Sequence, residues 1–459
     1  MKAVGFPAPG RLRPLAVAVF AVLAAGLIGI SSSSEPRLLF MMVAALGLAA
    51  FAFSHFTGGL VLFTLVSFFE LLPAAYLGNL TIVKAVGALL TLAWFARVVD
   101  RQSNVRVMLW EKPWLTAAAV GFTLWAVISG VWAPDLGTTV SFSARLALNV
   151  VLVFVVYSAV QTVEHLRWVI WAFLLGAFLT TGYGLVNGLT AGTSGRLVGG
   201  LEDPNFLAAV IVASIVLTGF MFVTSRGFQR LLLVAILGVL LPSLFLTGSR
   251  GGIVALFVAI LAAIVFAGPI RLQVVATTLI VVAFTVGYYV TVASVGARAR
   301  VTAISASDSA GRVDQYNIAL RVVGDHPLVG VGLGNFTVVE PNYTTATTSF
   351  YDVKALVANN PVHNMYLSVL AELGVVGVVL LAVFLGGCLV SGVQGYRERS
   401  RAGDLEGELL ARGVVVATLA FLVAYALLPG LLDKQLWLML GLCAALSGLQ
   451  RSSRPTPSS

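Results

Sequence analysis

The sequence predicts an all-α polytopic membrane protein with about 12–14 transmembrane helices and a small helical extracytoplasmic cap. Composition is the first reason. Of 459 residues 59% are hydrophobic and only 10% charged, and the mean hydropathy is +0.98, far from the balance of a soluble domain. Recurrence is the second. Apolar runs long enough to cross a bilayer lie near 14–30, 37–53, 57–75, 80–97, 114–133, 139–160, 166–188, 205–224, 230–247, 251–268, 272–293, 364–394, 409–428 and 432–449. They give about fourteen spans, and several are short enough that merged or re-entrant segments would bring the total to about twelve.

The basic residues supply a third observation. One set of loops holds Lys2, Arg11 and Arg13, then the groups around Arg101, Arg226 and Arg399, and finally Arg451 and Arg454. That side collects about 17 Lys and Arg against about 9 on the other, so both termini are expected to be cytoplasmic. The charged start followed by Leu15–Ile30 resembles a secretory signal, but its core is long and no small-x-small site precedes Ser31–Ser34. It is read as the first transmembrane helix.

Other classes fall away. The net charge of +9 is scattered through loops instead of clustered with aromatics, so membrane topology accounts for it and nucleic acid is not an expected partner. Cys388 and Cys443 both sit in apolar runs and read as small buried hydrophobes, not as a disulfide framework. No Asp-x-Asp pair stands on the outer side and no His/Cys cluster has ligand spacing, so neither metal nor cofactor is expected.

The chain divides into transmembrane helices over 1–293, an extracytoplasmic (periplasmic) loop over 294–362, and C-terminal transmembrane helices with a cytoplasmic tail over 363–459. Polar residues gather on the outer face. It receives the 189–204 loop with Arg196, Glu202 and Asp203, the Gly248–Gly252 turn around Arg250, and the long loop that ends at His363. Within that loop Gly311–Val323 has helical apolar spacing, and Asp325–His326–Pro327–Leu328 with Gly330, Gly332 and Gly334 then breaks it into turns. Asp203 and Asn205 flank Pro204 as helix caps.

Three ionisable residues, Glu70, Lys84 and Arg145, fall inside expected spans, where charge is costly and usually faces a cavity or a partner. Lys84 lies close enough to its helix end to snorkel, whereas Arg145 is about 9 Å deep at 1.5 Å per residue. Pairing of Glu70 with one of the cations is also open.

His363 stands where the longest polar segment meets a long apolar run. Along an unbroken helix Gly374 and Gly377 fall about 20° and about −40° from it, while Glu372 points about 180° away. The glycines would admit another helix or a lipid chain below the imidazole, and Glu372 would find a structural partner elsewhere.

His363-Asn364, nine residues, Gly374, two residues, Gly377 resembles the signature of the O-antigen ligase family, integral membrane glycosyltransferases of the GT-C type. Gly200–Asn205, Thr247–Gly252, Gly311-Arg312 and His326–Gly332 are similar to the family's further motifs and occur in its order. The resemblance covers roughly residues 190–400; the first half of the chain is similar in hydropathy alone. It implies transfer of a glycan from an undecaprenyl pyrophosphate carrier to a sugar hydroxyl on the outer side of the inner membrane. The acceptor would be lipid A-core for a ligase or a growing glycan for a polymerase.

Chemistry assigns roles to the residues. Pyrophosphate is a good leaving group, so the enzyme must neutralise its charge and take a proton from the attacking hydroxyl. Arg250 and Arg312 suit the first task as forked, permanently charged donors, with Lys84 and Arg145 as deeper support and Arg196 as a further donor or gating contact. His363 suits the second. Asn364 and Tyr366 would orient the imidazole or touch sugar, or else pack. Direct attack on the anomeric carbon inverts its configuration, because no placed carboxylate offers a covalent nucleophile. The competing class is a transporter or flippase of a polyprenyl-linked or other anionic substrate, since buried cations and broken helices occur there too.

Overall fold

The computed structural model describes residues 47, 50–69, 76–77, 80–100, 105–188, 190–191, 195–201, 203–272, 275–276, 287, 306–344 and 361–450. The span expected near 14–30, most of those near 37–53 and 272–293, and Glu70 lie outside them. The described chain is an all-α polytopic membrane protein. Its helices are α1 (Phe56–Val66), α2 (Ile82–Val99), α3 (Met108–Glu111), α4 (Pro113–Ile128), α5 (Leu136–Ala159), α6 (Val163–Asn187) and α7 (Pro204–Thr224). These are followed by α8 (Phe228–Leu246), α9 (Arg250–Phe266), α10 (Ala306–Asp325), α11 (Phe336–Tyr343), α12 (Met365–Arg401), α13 (Leu405–Ala424) and α14 (Lys434–Leu446). Among the described residues 8 helical segments are long and apolar enough to cross a membrane, while α1, α9 and α14 are shorter apolar helices. Two antiparallel pairs of two residues each, Tyr76–Leu77 with Leu80–Thr81 and Thr190–Ala191 with Arg196–Leu197, are the strands found there.

Polar residues set the helix starts. Thr81, Asp135, Thr162, Asp203, Ser249, Asn364, Asp404 and Asp433 each accept a backbone N–H of the helix they precede, satisfying donors that the first turn leaves open. Proline at the first position of α4 and of α7 adds a fixed φ where no N–H is needed.

Burial sorts the spans into layers. In α7 and α13 78% of the apolar window is buried, against 28% in α2, so the first two form the centre of the bundle and α2 its lipid-facing rim. α13 packs on α7, α9 and α12, and α14 packs on α5 and α12.

α12 is broken. Gly374 has φ 66° and ψ −170°, outside helical geometry, and the loop 326–335 enters the gap. Val331 N and Gly332 N donate to Ala371 O (3.1 Å) and Glu372 O (2.8 Å), while Val375 N donates back to Pro327 O (2.9 Å). Trp125 Nε1 donates to Leu373 O at 2.9 Å, and Gly334 N donates to Glu372 Oε2 at 2.8 Å. The backbone groups freed by the break are thus satisfied by a second strand of chain. Here the helical-phase expectation is corrected: it assumes an unbroken helix, and the close approach at Gly374 is made by the 327–332 loop, not by another helix or a lipid. Glu372 does find its partner in that loop.

α10 covers the stretch expected to be helical. Its Ile318, Ala319 and Val322 pack with Phe336, Val339, Val362 and Ala371 in a small core separate from that of the bundle. This core seats α10 and α11 on the first turns of α12.

Candidate active site

His363 ends an irregular segment just before α12. Asn364 caps that helix, its side-chain oxygen accepting Tyr366 N at 3.0 Å and Leu367 N at 3.1 Å, which fixes where the chain turns and so where the imidazole stands. Tyr316 of α10 donates its hydroxyl to the His363 carbonyl at 2.9 Å. Arg312 is one turn earlier on the same face of α10, and its charge acts on the imidazole.

The His363 ring is half-buried, and its Nδ1 is buried with no hydrogen-bond partner among the described residues. Burial first, then the Arg312 guanidinium, hold the imidazole below its ordinary value of 6.5, and Asp203 pulls partly against them. The ring is therefore neutral at pH 7, with a nitrogen available to take a proton.

Asp203 comes from the head of α7. Its carboxylate caps the helix by accepting Asn205 N at 2.6 Å. Asn205 in turn accepts Arg196 Nη2 at 2.8 Å, and Arg196 Nε donates to Thr247 O at 2.7 Å. Gly248, at φ 58°, lies against the Arg196 side chain, 3.5 Å from its Nε to the point a Cβ would occupy. Arg196 is thus a strut between the 195–205 loop, the α7 head and the turn that carries Arg250. Ser249 caps α9 through Gly252 N at 3.1 Å, and Arg250 opens that helix with its side chain exposed.

These pieces meet on the end of α13. Tyr366 donates its hydroxyl to Leu422 O at 2.8 Å, the Phe206 ring packs on Tyr425 at 6.0 Å, and Gly251 leaves 3.4 Å between Leu427 and the position of a Cβ. So the segments bearing His363, Asp203 and Arg250 converge from three parts of the sequence on residues 422–427.

Two candidates stand apart. Lys84 is exposed in the first turn of α2, and Arg145 is exposed on α5 with its guanidinium 5.9 Å from the Phe142 ring. Neither has a described contact with the His363 group. One turn beyond Arg145, Asn149 donates to Leu432 O at 3.0 Å, so α5 does reach the α13–α14 turn, by a residue the sequence does not single out. Tyr316 was legible only as an apolar position, and the Tyr425–Asp433 pair sits in a turn whose sequence carries no motif.

Residues 235–382 match the family model described as O-antigen ligase. This stretch is similar to the O-antigen ligase family. The match runs from α8 into α12 and contains Arg250, Arg312 and His363; Arg196 and Asp203 precede it. No curated protein matches the sequence. The match covers about a third of the chain, so the similarity to O-antigen ligases is that of this stretch.

Proposed function

We propose that the protein transfers a glycan from undecaprenyl pyrophosphate to a sugar hydroxyl of lipid A-core on the periplasmic face of the inner membrane. His363 accepts the proton of the attacking hydroxyl. The hydroxyl oxygen bonds to the anomeric carbon from the face opposite the leaving group, the bond to pyrophosphate breaks with its electron pair, and configuration inverts. Arg312 and Arg250 neutralise the departing anion, Arg196 holds the turn that presents Arg250, and Lys84 and Arg145 attract the anionic carrier from the bundle rim. Asn364 sets the orientation of the segment that carries the imidazole, and Tyr366 anchors it to α13. Helices α10 and α11 form the extracytoplasmic cap over this end of the bundle, the side opposite the excess of Lys and Arg.

The observation that carries the reading is the half-buried imidazole whose Nδ1 is buried and meets no partner among the described residues, with the Arg312 charge acting on it. A cation and a base side by side suit proton removal next to an anionic leaving group, and alternating transport of an anion has no use for the base.

Purified protein in liposomes, given a polyprenyl pyrophosphate glycan and lipid A-core, tests it. The expected result is a single glycan joined to the core, with His363→Ala slowed about 100-fold or more. A ladder of carrier-linked polymer would assign the polymerase reaction. Movement of the donor lipid across the bilayer with no glycosidic bond formed would overturn the enzyme.

A further inference from the structure

Asp203 explains more than the start of α7. Its segment and that of His363 rest on the same last turn of α13: Phe206 packs on Tyr425 at 6.0 Å, and Tyr366 bonds Leu422 O at 2.8 Å. The charged and titratable groups around the imidazole come from each element packed there. The charge of Arg312 acts on it from α10 and that of Asp203 from the α7 head, and the Tyr316 hydroxyl donates to the His363 carbonyl. At the α13–α14 turn the Asp433 carboxylate is already closed by the Tyr425 hydroxyl, and Lys434 follows it. Tyr366 on its own helix has its hydroxyl on Leu422 O. Among these described groups Asp203 is the carboxylate whose field reaches His363, and it opposes Arg312 there.

We propose that Asp203 is a positioning residue of the reaction: beyond capping α7, its carboxylate is the counter-ion that stabilises the positive charge His363 acquires on taking the acceptor's proton. The inference rests on the reading of His363 as the base. As the acceptor O–H bond breaks, the proton goes to the imidazole and the oxygen's electron pair forms the bond to the anomeric carbon. The electron pair of the carbon–oxygen bond to the carrier leaves with the pyrophosphate. One cation and one anion are created a few ångströms apart, and Asp203 and Arg312 match them in sign. Without Asp203 the imidazole would take up its charge beside Arg312 alone.

Capping and charge can be separated at this position. Asparagine caps a helix as well as aspartate, so Asp203→Asn keeps the bond to Asn205 N and removes only the charge; Asp203→Ser, which also caps, serves if the first variant does not accumulate. The chain has 4 histidines, and comparison with His363→Gln identifies the His363 resonance in a carbon-13 histidine NMR titration of the full-length protein. The titration midpoint of His363 is expected to fall by about half a pH unit or more in Asp203→Asn, with an unchanged melting temperature. In the transfer assay kcat falls, the KM for donor holds, and the acid limb of the pH profile moves to lower pH. Asp203→Glu restores the limb. An unmoved midpoint with normal folding, or a change in donor KM alone, would leave Asp203 as a cap only. If His363→Ala retained transfer the base assignment would fail, and the NMR titration would still decide whether Asp203 and His363 are coupled.

Discussion

Glu340 is 2% exposed in α11, and its Oε2 meets no partner among the described residues. Burial pushes its carboxyl from 4.5 up to about 7. The folded state then holds a proton that the unfolded chain has lost, so the stability this group supports is fully present below pH 4.5 and is lost as pH rises through about 7. Glu340→Gln, neutral throughout, is expected to flatten the melting temperature between pH 5 and pH 8; differential scanning fluorimetry in detergent checks it. Arg196 makes the opposite case, a charge engaged at both ends. Arg196→Gln loses the bonds to Thr247 and Asn205, each about 1.5–3 kcal/mol for a charged donor, and frees the turn under Arg250. Donor KM is expected to rise while the pH profile stays in place. His363 was legible because a lone imidazole at a polar-to-apolar boundary stands out. Asp203 was legible as an outer-face cap and Tyr316 as an apolar helix position, but their proximity to His363 was not, since it arises where the α7 head meets the end of α13 and where α10 packs on α12.

The break in α12 is the element on which the site depends. A Cβ at Gly374 would lie 2.2 Å from Leu328 O, and one at Gly330 2.3 Å from the Glu372 carbonyl carbon. Both residues also have positive φ, 66° and 67°, so side chains there meet backbone and strain together. Gly374→Ala is expected to destabilise the protein by about 3 kcal/mol or more, read as a lower midpoint in thermal unfolding, and to loosen α10 from His363. Gly386→Ala, with open space around the glycine, is the control and should match the wild type. The sequence signalled turns at Gly330, Gly332 and Gly334, but placed Gly374 within an unbroken helix. That the turn inserts into a helix further along required the backbone accounting, because a residue pattern reads as an unbroken helix until the partners of its carbonyls are known.

Across the whole molecule, the apolar runs marked where helices lie because each run must satisfy its backbone internally in lipid. The bundle centre was less legible. α7 and α13 differ from α2 in burial, 78% against 28%, yet all three are apolar, and hydropathy does not distinguish packing against protein from packing against lipid. The charge asymmetry predicts that the α10–α11 end and the α12–α13 end lie on opposite sides. A cysteine placed at exposed Asn342 should react with a membrane-impermeant maleimide in intact cells, and one at Ser400 only after permeabilisation; the native Cys388 and Cys443 are buried and stay silent. Labelling of both sites from outside would refute the orientation.

The central claim is that His363 takes the proton in glycan transfer. It is tested most directly by the pH dependence of kcat/KM for transfer by wild type and by His363→Ala in the same liposomes. The wild type should lose activity on the acid side with a midpoint below the ordinary histidine value of 6.5, as burial and Arg312 dictate, and the variant should be slow at every pH. Transfer by His363→Ala at the wild-type rate with the same acid limb would contradict the account.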